Sequence, residues 1–432
     1  MTSIYVALII YLVILFAVGI YYSKKNATIS DFLLAGKSLG VIAATLTISA
    51  SLFGGGLLTG TAQKAYNSGP MMYVYGIFGS GFGLLLASFL VKKMKDFSNF
   101  GTITEYLETR YNSKFLRSAS AFLSMVALIA LVGSQVGAAV GIMNALGMKN
   151  TTIAALFACI VIIALTSMGG LMAVTVTDGF QIILVMVGVV WITVAALGDI
   201  GGLSGLNASL TAIQSELPEG YNVFMDSEKF KSLLWMILPG LMYIMIGQDI
   251  YQRLFACKDH KTAIKASVCS AVLVCIVSVM PVTLGLIARV KHPELATAGT
   301  SAAAFATIAM STLPGWAVGI IIAAALSAIF STADSCLSAA ASHFMTDLYL
   351  PYIGKNVDTK DRRLVTISRA FTVIAGLAAV GVSMLLPTIL DGCFYAYYIY
   401  TSVFFAQSSL VYSGRRLLNR ARLLASWQAA SL

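Results

Sequence analysis

The feature that most constrains this chain is a series of eleven long, almost uncharged apolar runs. They lie at 4–22, 41–66, 71–91, 118–147, 151–168, 178–198, 232–250, 263–288, 315–345, 370–388 and 392–412. About 20 apolar residues in helical conformation cross ~30 Å of hydrocarbon. Inside a bilayer the backbone must satisfy its own hydrogen bonds, so only helices and closed barrels span it. Barrel strands alternate over about ten residues, and these runs are longer and continuously apolar. They predict an all-α integral membrane protein with about eleven transmembrane helices. Only 11% of the 432 residues are charged and 58% are apolar. Soluble domains carry about 25% charge, and disordered chains need low hydrophobicity with high charge, so both classes are excluded. The first run is too long, and lacks a small-residue cleavage site, to read as a signal peptide.

Charge then gives direction. The 28 Lys and Arg exceed the 18 Asp and Glu, for a formal net charge of +10. In a soluble protein that excess would suggest nucleic acid. Here the basic residues fall between apolar runs, so no nucleic-acid partner is predicted. With the N-terminus outside, 22 basic residues lie in cytoplasmic segments, and six (Lys64, Lys149, Lys229, Lys231, Arg289, Lys291) lie on the other side. Cytoplasmic loops carry the Lys/Arg excess. The prediction is a multi-pass plasma-membrane protein, N-terminus outside and C-terminus cytoplasmic. The largest outer loop, about 199–231, carries Asp199, Glu216, Glu219, Asp226 and Glu228. The six cysteines form no CxxC pair and no disulfide framework.

Two runs are interrupted. The second reads TLTISASLFGGGLLTGTA, with Gly54, Gly55 and Gly56 in its middle. Each glycine costs roughly 1 kcal/mol in a helix and frees the backbone to unwind. The seventh reads MILPGLMYIMIGQDIYQR, interrupted at Pro239-Gly240, with Gly247-Gln248-Asp249 adding polar groups near its inner end. The two lie five spans apart. Such a matched pair predicts a secondary transporter with inverted repeats, its ligands held at unwound backbone near the bilayer midplane. The plain alternative is close helix packing through small residues. On the transporter reading, residues 1–28 are a leading helix and linker. Residues 29–412 are the core, with repeat one at about 41–198 and repeat two at about 232–412. Residues 413–432 are a basic cytoplasmic tail.

The ninth run, IIAAALSAIFSTADSCLSAAASHF, gathers Ser327, Ser331, Thr332, Asp334, Ser335 and Ser338 in apolar surroundings. Ala328, Ser331, Thr332 and Ser335 share one helical face. Carbonyl and hydroxyl oxygens with little net charge suit Na⁺ better than Ca²⁺ or Mg²⁺, which take several carboxylates. An acid inside a membrane costs at least ~2.5–3.5 kcal/mol, which makes Asp334 a functional candidate. Asp178, opening the sixth run, is placed to reach it. Hydroxyls that bond back to carbonyls four residues earlier are the structural alternative.

Four segments carry a resemblance: DFLLAGKSLG, GGLMAVTVTDGFQ, QRLFACKD and ALSAIFSTADSCLSAAASHFMTDLY. In order and spacing they resemble the sodium:solute symporter family, the group of the sodium/proline, sodium/glucose and choline symporters. The match runs from about Asp31 to about Phe405. It implies a LeuT-type five-plus-five inverted repeat with one extra N-terminal helix. It implies a transporter, not an enzyme: a sodium-coupled symporter importing a small organic solute by alternating access. Sodium, the solute and the lipid bilayer are the implied partners. The family's main sodium site maps onto carbonyls of Ala50, Phe53 and Ala328 and hydroxyls of Ser331 and Thr332. A second cation site found in some members maps onto Asp178, Ser331 and Ser335, with Asp334 where a serine would complete it.

For the solute, Gln135, Tyr243 and Gln248, with Ser134 and Tyr398, are candidate cavity residues. The proline symporter's acid in the broken second span falls on Leu52. Cage tryptophans of the choline transporters fall on Leu52 and Gly247, and no arginine for a carboxylated sugar occurs in 118–147. Elimination leaves a neutral or zwitterionic metabolite such as an amino acid, sugar or vitamin. The rival readings are a channel, an integral membrane enzyme, and an inactive truncated symporter. Only three histidines occur (His260, His292, His343), which disfavours paired haem ligation. After Phe405 the chain reads AQSSLVYSGRRLLNRARLLASWQAASL. That is expected either of a truncated or frame-shifted product or of a natural short member with an amphipathic basic tail.

Overall fold

Nearly every residue of the computed structural model is helical, as a backbone that must satisfy itself inside hydrocarbon requires. The structure describes residues 2–402 apart from 24–27, 95–96, 355–356, 359–360 and 387. The expected basic tail and the end of the last expected span lie outside the described residues.

Helix α1 (Thr2–Ser23) is followed by the short α2 (Ile29–Leu34), started by a Thr28–Asp31 capping box. The second span is α3 (Val41–Leu52) and α4 (Gly56–Ser68), bent by 51° at their break. Then come α5 (Met72–Lys93), the short α6 (Ile103–Tyr111) and α7 (Lys114–Ala145). Helices α8 (Thr151–Ser167) and α9 (Gly170–Asp199) meet at Gly170, whose φ of 63° and ψ of −177° only glycine adopts without strain. The long loop after α9 carries α10 (Gly202–Ala212). Helices α11 (Ser227–Ile246) and α12 (Gln248–Phe255) form the seventh span. They are followed by α13 (His260–Lys291), α14 (Ser301–Thr312), α15 (Gly315–Tyr352), α16 (Arg362–Ser383) and α17 (389–402).

Seven described helices are long and apolar enough to cross a membrane, and the bent pair α3–α4 makes an eighth. Helices α1, α8 and α17 occupy the other three expected positions. One expectation needs correction. The seventh span is not interrupted at Pro239-Gly240: helix α11 runs through both. Membrane helices tolerate Pro when neighbours satisfy the freed carbonyl. The break falls instead at Gly247, which is extended (φ −64°, ψ 125°).

Helix α15 lies at the centre. From Ala317 to Ser342 every residue except Ile320 is buried. It packs against α1, α7, α8–α9 and α16, and touches the broken span. Outward faces of α9, α13 and α16 carry Ile183, Val187, Val194, Ile276 and Ile374 exposed, as a hydrocarbon surround demands. Loops gather at two ends. At one end Lys291 pairs with Asp199 at 2.7 Å, and Trp191 lies 5.6 Å from Trp316, an aromatic pair suited to a membrane interface. At the other, Leu39 bonds Ala256 and Lys258 through the main chain, and Lys37 Nζ donates to Phe100 O.

Candidate functional site

The glycines of the second span let two helices touch where side chains would keep them apart. Residues 53–55 form a turn between α3 and α4. A Cβ on Gly54 would stand 2.1 Å from Thr332 Oγ1 of α15, and one on Gly55 2.4 Å from Ala138 Cβ of α7. Gln135 Oε1 accepts from the freed Gly55 N–H at 2.7 Å and so holds the break open. Thr332 Oγ1 lies 3.0 Å from Ser51 O, 3.1 Å from Ala328 O and 3.4 Å from Ala50 O. One hydroxyl proton serves one acceptor at a time, so oxygens exceed donors here. That donor set suits a hard monovalent cation. Of the five residues mapped to the main sodium site, Ala50, Ala328 and Thr332 meet directly. Phe53 stands buried at the break, and Ser331 turns its hydroxyl to Asp178. Ser51 O is an addition that residue spacing did not reveal.

Beside this point lies a cluster around Arg253 of α12, which is fully buried. Its Nε donates to Thr47 Oγ1 at 2.9 Å and its Nη1 to Asp249 O at 3.0 Å. Its Nη2 lies 3.4 Å from Asp178 Oδ2 and donates to Ser335 Oγ. Asp178 also accepts from the Thr47 and Ser331 hydroxyls, and Ser335 Oγ donates to Ser331 O at 2.7 Å. Asp178, Ser331 and Ser335 of the expected second cation site are thus brought together, with a guanidinium among them. Asp334 stands to one side of the group and makes no hydrogen bond to Asp178, Ser335 or Arg253. It is 100° around the helix from Ser335 and lines a small pocket with Ser331, Leu15, Leu165, Thr177 and Gln181, with Oδ1 unpartnered. The QR segment is visible in the sequence, but the reach of its arginine back to Asp178 is not. A lone arginine beside an interrupted apolar span was the available signal.

Next to Thr332 the helices enclose a cavity of about 30 Å³, room for roughly two waters. Gln135 and Tyr243 line it, as expected, with Leu52, Tyr75 and Tyr397. Tyr243 stacks on Tyr397 with centroids 4.6 Å apart. Gln248 does not line it, which corrects its expected role. Its Oε1 accepts from Ile103 N at 3.0 Å and its Nε2 donates to Gly101 O at 3.1 Å. The extended residue Gly247 turns successive side chains to different sides, so Gln248 leaves the cavity and its neighbour Asp249 enters it. Tyr398 OH donates to Trp235 O and lies apart.

Gln248 belongs instead to a polar clamp that holds α6. Buried Asp347 accepts from Thr102 Oγ1 (2.9 Å), Thr104 Oγ1 (2.6 Å) and Arg117 Nε (2.7 Å), and lies 2.7 Å from His343 Nδ1. Arg117 also reaches Glu105 at 3.1 Å and Glu108 at 2.8 Å. Burial pushes the Glu105 carboxyl up from its ordinary value, against bonds from Gly101 and Thr102 and the Arg117 charge. The three histidines are dispersed: His260 contacts Val91 O and His292 contacts Glu294 and Ser311.

Comparison with known proteins bears on this arrangement. The sodium:solute symporter family matches residues 32–406. A sodium/glucose cotransporter of Vibrio parahaemolyticus is 28% identical, covering 86% of this chain and 72% of its own length. A sodium/pantothenate symporter of Escherichia coli (strain K12) is 25% identical over 85% of this chain and 77% of its own. A sodium/proline symporter of Haemophilus influenzae is 28% identical over 84% and 74%. Among solved structures, a substrate-bound, outward-open Na⁺-coupled sialic acid symporter superposes with a TM-score of 0.73. It is 20% identical and covers 89% of this chain and 82% of that one. MhsT in complex with L-phenylalanine gives 0.56 at 14% identity, over 86% and 87%.

Proposed function

Since this chain belongs to the sodium:solute symporter family, we propose that its sodium ion is held where the broken second span meets α15, by Ala50, Phe53, Ala328, Ser331 and Thr332. The chain is a multi-pass membrane protein with the LeuT-type inverted-repeat fold, a sodium-coupled symporter of a small organic solute and not an enzyme. The observation that carries the sodium site is the convergence of Thr332 Oγ1 with the Ala50, Ser51 and Ala328 carbonyls at Gly54. Sodium there ties α3–α4 to α15 and favours the outward-open state, which orders the adjacent cavity for solute. Each ligand then binds better when the other is present, and the coupling is reciprocal. Membrane potential adds about 2.3 kcal/mol per charge per 100 mV to uptake. Gln135 and Tyr243 line the solute cavity, and a neutral or zwitterionic metabolite is the solute class that the sequence leaves. At the second cation site the Arg253 guanidinium supplies the positive charge opposite Asp178, Ser331 and Ser335, and Asp334 forms a separate acidic position. Repeat one spans about 41–198 and repeat two about 232–412. The end bearing Lys37, Lys258 and Arg117 is cytoplasmic, with the N-terminus outside.

Uptake into proteoliposomes under an inward sodium gradient tests the reading. Radiolabelled glucose, proline, pantothenate and ethanolamine serve as probes, with potassium replacing sodium as the control. At least one probe is expected to accumulate only with sodium, and Thr332→Ala to abolish that accumulation with expression unchanged. Accumulation of every probe alike in potassium would sink it.

A further inference from the structure

Asp249 is the one acidic side chain lining the solute cavity, and it is 2% exposed. Its Oδ1 has no hydrogen-bond donor, and the hydroxyl of Tyr243, in the same cavity wall, is the side-chain group that neighbours the carboxyl. Among the described residues no cationic side chain lies within ion-pair distance of it. Arg253, the nearest basic neighbour in sequence, gives its guanidinium to Thr47, Asp178 and Ser335, and meets Asp249 only at the main-chain carbonyl. A buried carboxylate oxygen left without a donor is costly. Protein interiors keep such a group when something else completes it. Three tyrosines, Tyr75, Tyr243 and Tyr397, supply aromatic wall, with Tyr243 and Tyr397 stacked and Tyr75 edge-on to Phe394 at 5.6 Å. Aromatic faces attract cations.

We propose that the transported solute carries a protonated amine, and that Asp249 binds its ammonium group. This rests on the symporter reading and names the class of solute within it. A neutral hydroxyl compound would offer Oδ1 a donor but leave the buried charge uncompensated. A quaternary ammonium would satisfy charge and rings but bring no N–H. A protonated primary or secondary amine does both, because charge-assisted N–H···O bonds are the strong ones. A second sodium ion at Asp249 is the rival occupant, and the sodium midpoint measured below separates the two. The inference keeps the zwitterions of the neutral-or-zwitterionic class, drops its neutral members and adds cationic amines. The pantothenate and glucose of the relatives' names bear no protonated amine.

The test is thermal unfolding of the full chain in detergent, in sodium or potassium chloride, with matched probes. The pairs are ethanolamine and ethylene glycol, glycinamide and glycolamide, and 1,4-diaminobutane and 1,4-butanediol, with tetramethylammonium alone. At least one amine is expected to stabilise the protein in sodium at a concentration roughly tenfold or more below its neutral partner and tetramethylammonium. Asp249→Asn should erase that preference and leave the stabilisation by sodium alone intact, while Asp249→Glu keeps it in part. Equal action of amine and neutral partner, no action of any amine, or an undiminished preference in Asp249→Asn overturns the proposal. So does a shift of the sodium midpoint alone, which would make Asp249 a sodium ligand. If Asp249→Asn does not fold, the wild-type comparison of paired probes still decides. Absence of any sodium effect without probe would instead strike the symporter reading itself.

Discussion

At position 332 a hydroxyl faces three carbonyl oxygens, and position 54 has no side chain, so the two helices touch. Thr332→Ser should therefore keep sodium binding, and Thr332→Ala should raise the half-saturating sodium concentration by roughly tenfold or more, about 1.4 kcal/mol. Sodium-dependent melting measures both. Gly54→Ala inserts a methyl into the space of the Thr332 hydroxyl. Overpacking costs typically ~1–3 kcal/mol, and the sodium-induced stabilisation is expected to vanish with it. Arg253 and Asp178 form a buried pair, both fully inaccessible. Removing one partner of such a pair costs about 3–5 kcal/mol because the other charge is stranded. Arg253→Gln should lower the melting temperature sharply, and adding Asp178→Asn should restore part of it. A double variant less stable than the single one would argue against charge compensation. The Ser, Thr and Asp of this region were legible as a polar stripe. Which of them met which was not, since Asp334 and Ser335 are neighbours in sequence yet face different helices.

Among the elements, the two broken spans show how far local chemistry reaches. Three consecutive glycines marked the first break, each costing roughly 1 kcal/mol of helix propensity. The second break moved from Pro239-Gly240 to Gly247, because proline is tolerated where neighbouring helices satisfy its freed carbonyl. Helix α6 is held by Asp347, Thr102, Thr104, Arg117 and Gln248 rather than by an apolar face. Asp347→Asn should loosen it, seen as faster hydrogen exchange of the 101–111 amides with α15 unchanged. The raised Glu105 carboxyl gives a pH dependence with a definite sign. Its contribution to stability is present below the unfolded value of 4.5 and is lost as pH rises through the higher folded value. Protection of the 101–111 amides should fall with rising pH, and Glu105→Gln, which can still cap α6, should flatten the fall.

For the molecule as a whole, the loops separate into two ends, and the basic excess assigns one of them to the cytoplasm. In right-side-out vesicles a membrane-impermeant thiol reagent should label Val223→Cys, in the loop bearing α10, and spare Lys258→Cys, beside Leu39. The reverse pattern would invert the proposed orientation. The sequence by itself determined the class of protein: long apolar runs admit only helices in a bilayer, and four ordered motifs carry the family; the charge split supports the proposed orientation. It also marked the glycine break and the hydroxyl stripe, since both are local departures from what an apolar helix prefers. Only the tertiary structure decided that Arg253 reaches Asp178, that Gln248 leaves the cavity for α6, and that Asp249 enters it without an ion-pair partner. The reason is rotational. Past a break the helix restarts at an angle set by packing against distant segments, and residues one position apart then point 100° from each other.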